Sequence, residues 1–159
     1  MEIRRSALLE FAAEDIFDVI EGAEHYPAFL PGCEAVTILE RTESIIVARV
    51  AVAWKGLRFE FTTRNPKRRP EWLAVKLEEG GAFRHLDGEW NIRALSPHAC
   101  KVEFTLRCEL QGAIARKLAG MVFDSVADAL LDAYVARAHA LAGSRAAPAA
   151  NGLRYARPA

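Results

Sequence analysis

Four histidines, three cysteines and an arginine at the end of an aromatic strand are the side chains of this 159-residue chain best suited to chemistry. His25, His85, His98 and His139 are far apart in sequence, and no two stand at a metal-binding spacing. His25 and His85 flank apolar turns, where an imidazole can edge a pocket and meet a polar head group or serve structure alone. His98, in a turn, and His139, near a helix end, read as solvated. Cys33, Cys100 and Cys108 are too scattered for zinc and odd in number for a disulfide framework. A thiol nucleophile needs a base beside it, and nothing local supplies one, so they read as small apolar residues. Arg64, followed by Asn65, closes a strand rich in aromatics. Buried, its guanidinium would need a carboxylate or the polar head of a ligand; the alternative is a surface arginine in a basic stretch with Lys67, Arg68 and Arg69. That stretch reads as a solvated turn, or else as a contact to an anionic membrane surface or RNA. The chain carries no Gly-rich phosphate loop, HExxH, GxSxG or paired-cysteine site. No catalytic residue, metal or cofactor is expected, and a binding role is favoured over an enzyme.

The totals narrow the classes further. Apolar residues make up 52% of the chain, enough for one packed domain. The 21 basic and 21 acidic residues cancel, which argues against a dedicated electrostatic nucleic-acid binder, and no DNA partner is expected. The start, MEIRRSALLEF, has neither the apolar run of a secretory signal nor the acid-poor character of a transit peptide. With no stretch long enough to cross a bilayer, the expected location is cytoplasmic, with peripheral contact to an inner membrane left open.

The elements that must position these residues follow from periodicity. Residues 2–11 alternate as a half-buried strand, with Ile3, Ala7, Leu9 and Phe11 on one face and Glu2, Arg4, Ser6 and Glu10 on the other. Ile16, Phe17, Val19 and Ile20 mark a short amphipathic helix stopped at Gly22, followed by the tight apolar turn HYPAFLPGC. Strands then follow at Glu34–Arg41, Ile45–Trp54, Leu57–Arg64, Glu71–Glu78, Leu86–Leu95 and Cys100–Leu110, with NPKRRP a loop and Gly80-Gly81 a break. The stretch from Gly112 to Ala142 reads as one long helix, apolar over most of its circumference and therefore buried. Its broad face carries Ile114, Leu118, Met121, Val122, Ser125, Val126, Ala129 and Ala133; Lys117, Asp124 and Asp128 share a narrow polar one. Consecutive strands pair antiparallel, and only this helix is long enough to cover their apolar face. The expected class is α+β, a strongly bent sheet of about seven strands round the final helix. Residues 1–142 form the domain and 143–159 a disordered tail.

The segments SALLEFAAEDIFDVIEGAEHYPAFLPGCEAV, FTTRN, FRHLDGEWNI and ACKVEFTLRCEL give the chain a resemblance to the coenzyme Q-binding protein family. That family overlaps bacterial proteins named ribosome-association toxin A, within the helix-grip superfamily of polyketide cyclases and lipid-transfer domains. The resemblance covers Ile3 to Ala142, with YPxFLPxC (Tyr26 to Cys33) and FTTRN (Phe61 to Asn65) as its most specific parts. It departs at the basic, proline-rich KRRPEW. It implies a helix-grip fold of seven antiparallel strands with a lipid tunnel, and binding of an isoprenoid quinone in support of respiration. Large apolar interiors with few polar groups suit such a guest. The quinone ring is then expected near Tyr26, Phe29, Leu30, Phe61 and Trp90, with the tail along Leu118, Val122 and Val126, Phe104 also lining the cavity, and His25, Arg64 or His85 as head-group contacts. The alternatives are a toxin binding the large ribosomal subunit through Lys67, Arg68, Arg69 and the basic tail, and a cyclase or dehydratase using His25, His85 or Arg64.

Overall fold

The computed structural model describes residues 2–54, 56–118, 123–143 and 154–156. Among these residues eight strands form one sheet: β1 (Glu2–Leu9), β2 (Cys33–Arg41), β3 (Ile45–Trp54), β4 (Leu57–Arg68), β5 (Trp72–Glu79), β6 (Phe83–Ser96), β7 (Ala99–Leu110) and β8 (Arg154–Ala156). Their order is β2-β3-β4-β5-β6-β7-β1-β8, and every pairing is antiparallel. A meander from β2 to β7 therefore closes on the N-terminal strand. The described residues also form three helices, α1 (Ala13–Glu21), α2 (Gly112–Lys117) and α3 (Phe123–Gly143), with a 3-10 segment at Ala23–Ala28. This is the expected bent sheet gripping a C-terminal helix.

Alternation builds the concave face. Ile46, Ala48, Val50, Val52 and Trp54 of β3 lie opposite Asn65, Thr63, Phe61, Phe59 and Leu57 of β4. On the far side, Leu86, Gly88, Trp90 and Ile92 of β6 lie opposite Cys108, Leu106, Phe104 and Val102 of β7. Because side chains along a strand alternate in direction, these cross-strand partners share one apolar surface. The chain turns from β5 to β6 at Gly80, which has φ +156°; a Cβ there would sit 2.6 Å from that of Phe61. Only glycine lets the β5–β6 turn approach so closely.

Four features differ from the sequence reading. The expected single helix is described as two, because α2 ends at Lys117, with Leu118 as its non-helical cap, and α3 spans Phe123–Gly143. The face that α3 buries is Ala127, Leu131, Val135 and Ala138, while Ser125 and Ala129 are exposed. The NPKRRP loop is mostly strand, since β4 runs on to Arg68. Within the stretch read as a disordered tail, Arg154–Ala156 pair with Ser6–Leu8 of β1; its other residues after Gly143 lie outside the described ones. No helix among the described residues is long and apolar enough to cross a membrane.

Candidate functional site

The concave face has two unlike ends. At one, α1 and the second half of α3 press onto the sheet. Phe17, Ile46, Leu73, Trp90, Ile92, Cys100, Val102, Leu131 and Val135 are all buried there, in a single cluster. Trp90 stacks on Phe104 at 4.3 Å between ring centroids, and Tyr134 meets Trp90 edge-on at 5.1 Å. Tyr134 also contacts Tyr26 at 5.5 Å and Phe29 at 5.9 Å, both edge-on. Edge-to-face rings at these separations are favourable beyond the area they bury. The turn carrying Tyr26 and Phe29 is thus tied to α3 by aromatic contacts, and the Tyr26 hydroxyl donates to the carbonyl of Ile20. Burial pushes the phenols of both Tyr26 and Tyr134 above their ordinary range, so both remain protonated donors at neutral pH.

At the other end the apolar surface is only half covered. Val50, Val52, Trp54, Phe59, Phe61, Phe83 and Leu106 each retain partial exposure. Phe59, Phe61 and Phe83 form a second ring cluster, with Phe61 and Phe83 5.1 Å apart. Ile114 and Leu118 of the α2 region and Val126 and Leu130 of α3 are likewise half-buried. Gln111 ties the start of α2 to the β5–β6 turn, its amide donating to the carbonyl of Gly81 at 3.0 Å. An apolar surface that the fold leaves half open is where a hydrophobic guest finds room.

The expected site residues therefore divide. Tyr26, Phe29, Trp90 and Phe104 come together at the closed end, and Leu30 is half-buried on the same turn. Phe61 belongs to the open end, Leu118 and Val126 are half-buried, and Val122 lies outside the described residues.

The three polar candidates are all exposed side chains. The side chain of His25 is 63% exposed beside Glu24. His85 is exposed on the convex face, opposite Glu109. Arg64 is also on the convex face and pairs with Glu78 at 2.9 Å and Glu40 at 3.3 Å. The surface reading of Arg64 holds. His139, expected to be solvated, is half-buried with its ring 4.8 Å from that of Phe11.

The basic stretch is neutralised. Lys67, with only 8% of its side chain exposed, pairs with Glu21 at 3.0 Å, and Arg41 binds both Glu21 and Glu24. Arg69 forks onto Asp18 through two hydrogen bonds of 2.8 and 2.9 Å, and Arg68 pairs with Glu71. These contacts hold α1 against β2 and β4. They also remove Lys67 and Arg69 as free cations for a large partner.

Sequence reasoning missed Arg5. It sits on β1 at 7% exposure; its Nε donates to Asp128 of α3 at 2.7 Å, and a terminal nitrogen donates to the Arg4 carbonyl. Its signal was present, because an arginine between Ile3 and Ala7 stands on the apolar side of the alternation. Among the described residues no cluster of histidine, cysteine and acidic side chains could hold a metal ion.

The family model described as polyketide cyclase / dehydrase and lipid transport matches residues 9–135. The protein named ribosome association toxin RatA from Pseudomonas aeruginosa is 37% identical over 141 residues, covering 89% of this chain and 97% of that one. A Xenopus laevis protein named coenzyme Q-binding protein COQ10 homolog B, mitochondrial, is 22% identical over 153 residues, covering 94% and 63%. Among solved structures, the ZhuI aromatase/cyclase of a Streptomyces species superposes with a TM-score of 0.74 at 20% identity, over 87% of this chain and 93% of that one. At that identity the likeness concerns the fold alone.

Proposed function

The chain belongs to the polyketide cyclase / dehydrase and lipid transport family, and within it we propose that this protein acts by associating with the ribosome, as a binder and not an enzyme. The observation that carries this is the 37% identity, across nearly the whole of both chains, to a relative named for ribosome association. The quinone-carrier reading, which the resemblance alone put first, rests on a relative at 22% identity and takes second place. Sedimentation through a density gradient tests the proposal. The protein is expected in the large-subunit fraction at low salt and in the free fraction at high salt, because contacts to RNA phosphates weaken as counterions compete. Absence from the large-subunit fraction at low salt overturns it.

One feature favours a second activity, shelter of a hydrophobic guest. The half-exposed Phe59, Phe61 and Phe83, with Val50 and Val52, form an apolar wall that no described element fully covers. Covering such a wall removes apolar surface from water at about 25 cal/mol per Å². Native mass spectrometry of freshly purified protein reads the guest as a discrete mass increment, and a spectrum holding bare chain alone counts against this second activity.

A further inference from the structure

The convex face of the sheet carries a groove of about 580 Å³, bounded by the β4–β5 turn and floored by β5, β6 and β7. Asn91, Arg93, Lys101 and Glu103 face away from the apolar wall, while Ala13 and Ile92, which also line the groove, belong to the buried cluster under α1. Its residues of interest are Arg68, Trp72, Asn91, Arg93, Lys101 and Glu103. Arg68 and Trp72 are cross-strand partners, and the Arg68 guanidinium lies 5.9 Å from the centre of the indole ring. Trp72 is the partner of Asn91, and Asn91 of Glu103, so one row runs across four strands. In the next row Arg93 stands directly opposite Lys101.

That last pair is the informative one. Like charges placed directly opposite on one face of an antiparallel pair are destabilising. Lys101 is partly relieved by Glu103 at 3.3 Å, but Arg93 is exposed and forms no ion pair among the described residues. A bound anion between the two cations would remove the repulsion. The other groups suit a nucleotide more than a simple anion. A guanidinium stacked near an indole offers a flat cationic surface on which a base can lie, and single-stranded RNA is read by such stacking. Asn91, Glu71 and Glu103 supply acceptors for the amino groups of a base edge. The volume is that of a small-ligand cleft, enough for one nucleotide.

We propose that this groove binds single-stranded RNA, with a phosphate between Arg93 and Lys101 and a base against Arg68 and Trp72. It rests on the ribosome reading for its biological setting and names the face that would make the contact. Of the basic stretch from Lys67 to Arg69, only Arg68 takes part; its salt bridge to Glu71 is solvent-exposed on both sides and readily exchanged.

Two measurements on the full chain separate the groove from the ribosome reading. The first is fluorescence anisotropy with a short fluorescein-labelled single-stranded RNA. Arg93→Ala, Lys101→Ala and Trp72→Ala are each expected to weaken binding by about tenfold. Lys76→Ala, which removes the same charge from the convex face outside the groove, should leave it unchanged. Combining Arg93→Ala with Lys101→Ala should flatten the salt dependence by about 0.7 log units per log unit of salt for each phosphate no longer engaged. Arg93 is exposed, so its replacement leaves the fold intact, and thermal melts verify this. Undetectable RNA binding at low salt overturns the proposal, as does equal weakening by Lys76→Ala or unchanged affinity in the Arg93 and Lys101 variants. The second measurement is ribosome sedimentation of the same variants. If wild type and groove variants sediment alike with the large subunit, the ribosome reading stands and the groove falls. If RNA binding depends on the groove while wild type stays off ribosomes, the groove stands and the ribosome reading falls.

Discussion

Arg5 is the side chain whose removal or isolation the interior would feel most. Its guanidinium is buried on β1, and Asp128, about a third exposed, answers it from α3. Taking away one member of a buried pair costs more than the intact pair contributes. Asp128→Ala is therefore expected to lower unfolding stability in urea by about 2 kcal/mol, at the low end because Asp128 is partly hydrated. Arg5→Met combined with Asp128→Leu should recover most of that loss, since two apolar side chains leave no charge to desolvate. Cys100 gives a second prediction at this scale. Burial, and secondarily the Glu14 carboxylate, raise its thiol to about 11. The unfolded chain releases this proton near the ordinary thiol value of about 8.5, while the folded chain holds it. The folded state therefore binds more protons in that window, and stability must fall as pH rises through it. The expected loss from this thiol is on the order of 2 kcal/mol between pH 9 and 11. Denaturant melts across that range should show a shallower decline in Cys100→Ala than in the wild type. Cys100 was legible as a buried strand residue from its place in ACKVEF. Arg5 was legible too, had the alternation of β1 been followed through the charge.

At the scale of elements, four ion pairs around α1 and the 3-10 segment act together. Asp18, Glu21 and Glu24 meet Arg69, Lys67 and Arg41 across the gap to β2 and β4. The partners differ in burial, and so should their worth. Lys67→Ala takes a nearly buried cation from Glu21, which keeps Arg41 as its partner, and is expected to cost about 1 to 2 kcal/mol. Arg69→Ala breaks a pair whose two side chains are each about half exposed, and is expected to change stability by less than about 1 kcal/mol despite its forked geometry. Thermal melts of the two variants, compared in the same buffer, give the ordering; an equal or reversed effect would show that burial does not set it. The strands were readable because alternation has a period of two and tolerates no ambiguity of face. The long β4 was not, because a proline and three cations within NPKRRP carry a turn signature, yet Lys67 packs inward against Glu21. The face of α3 was misassigned for a different reason. Alanine occurs on every side of this helix, so a wheel that counts alanine equally with leucine has almost no direction. The large residues Leu131, Tyr134 and Val135 hold the phase, and they mark the side that packs on the sheet. Carrying one phase from Gly112 through to Ala142 also assumed a continuity that ends at Leu118.

For the whole molecule, the fold was legible and the partner was not. A fold is specified by periodicity repeated over many residues, whereas a surface contact rests on a few side chains with no period. Charge carries the last prediction. The chain has 21 basic and 21 acidic residues, and its described cations are extensively paired with carboxylates. A protein of this kind projects little long-range field, so an approach to RNA is not steered by net charge. Recognition must come from a few local contacts, with shape and stacking supplying the rest. The consequence is measurable as the slope of log affinity for ribosomes against log salt. A basic RNA-binding domain making many phosphate contacts gives a steep slope, with about 0.7 to 0.9 added per contact. Here one or two contacts are expected, which gives a slope no steeper than about −2. Residual affinity at raised salt should then disappear on replacing an aromatic side chain rather than a cation. A slope several times steeper would mean that cations now paired with carboxylates exchange those partners for phosphates on binding. In that case Lys67 and Arg69 would return as contact residues, and the burial of Lys67 against Glu21 would have to open when the ribosome is met.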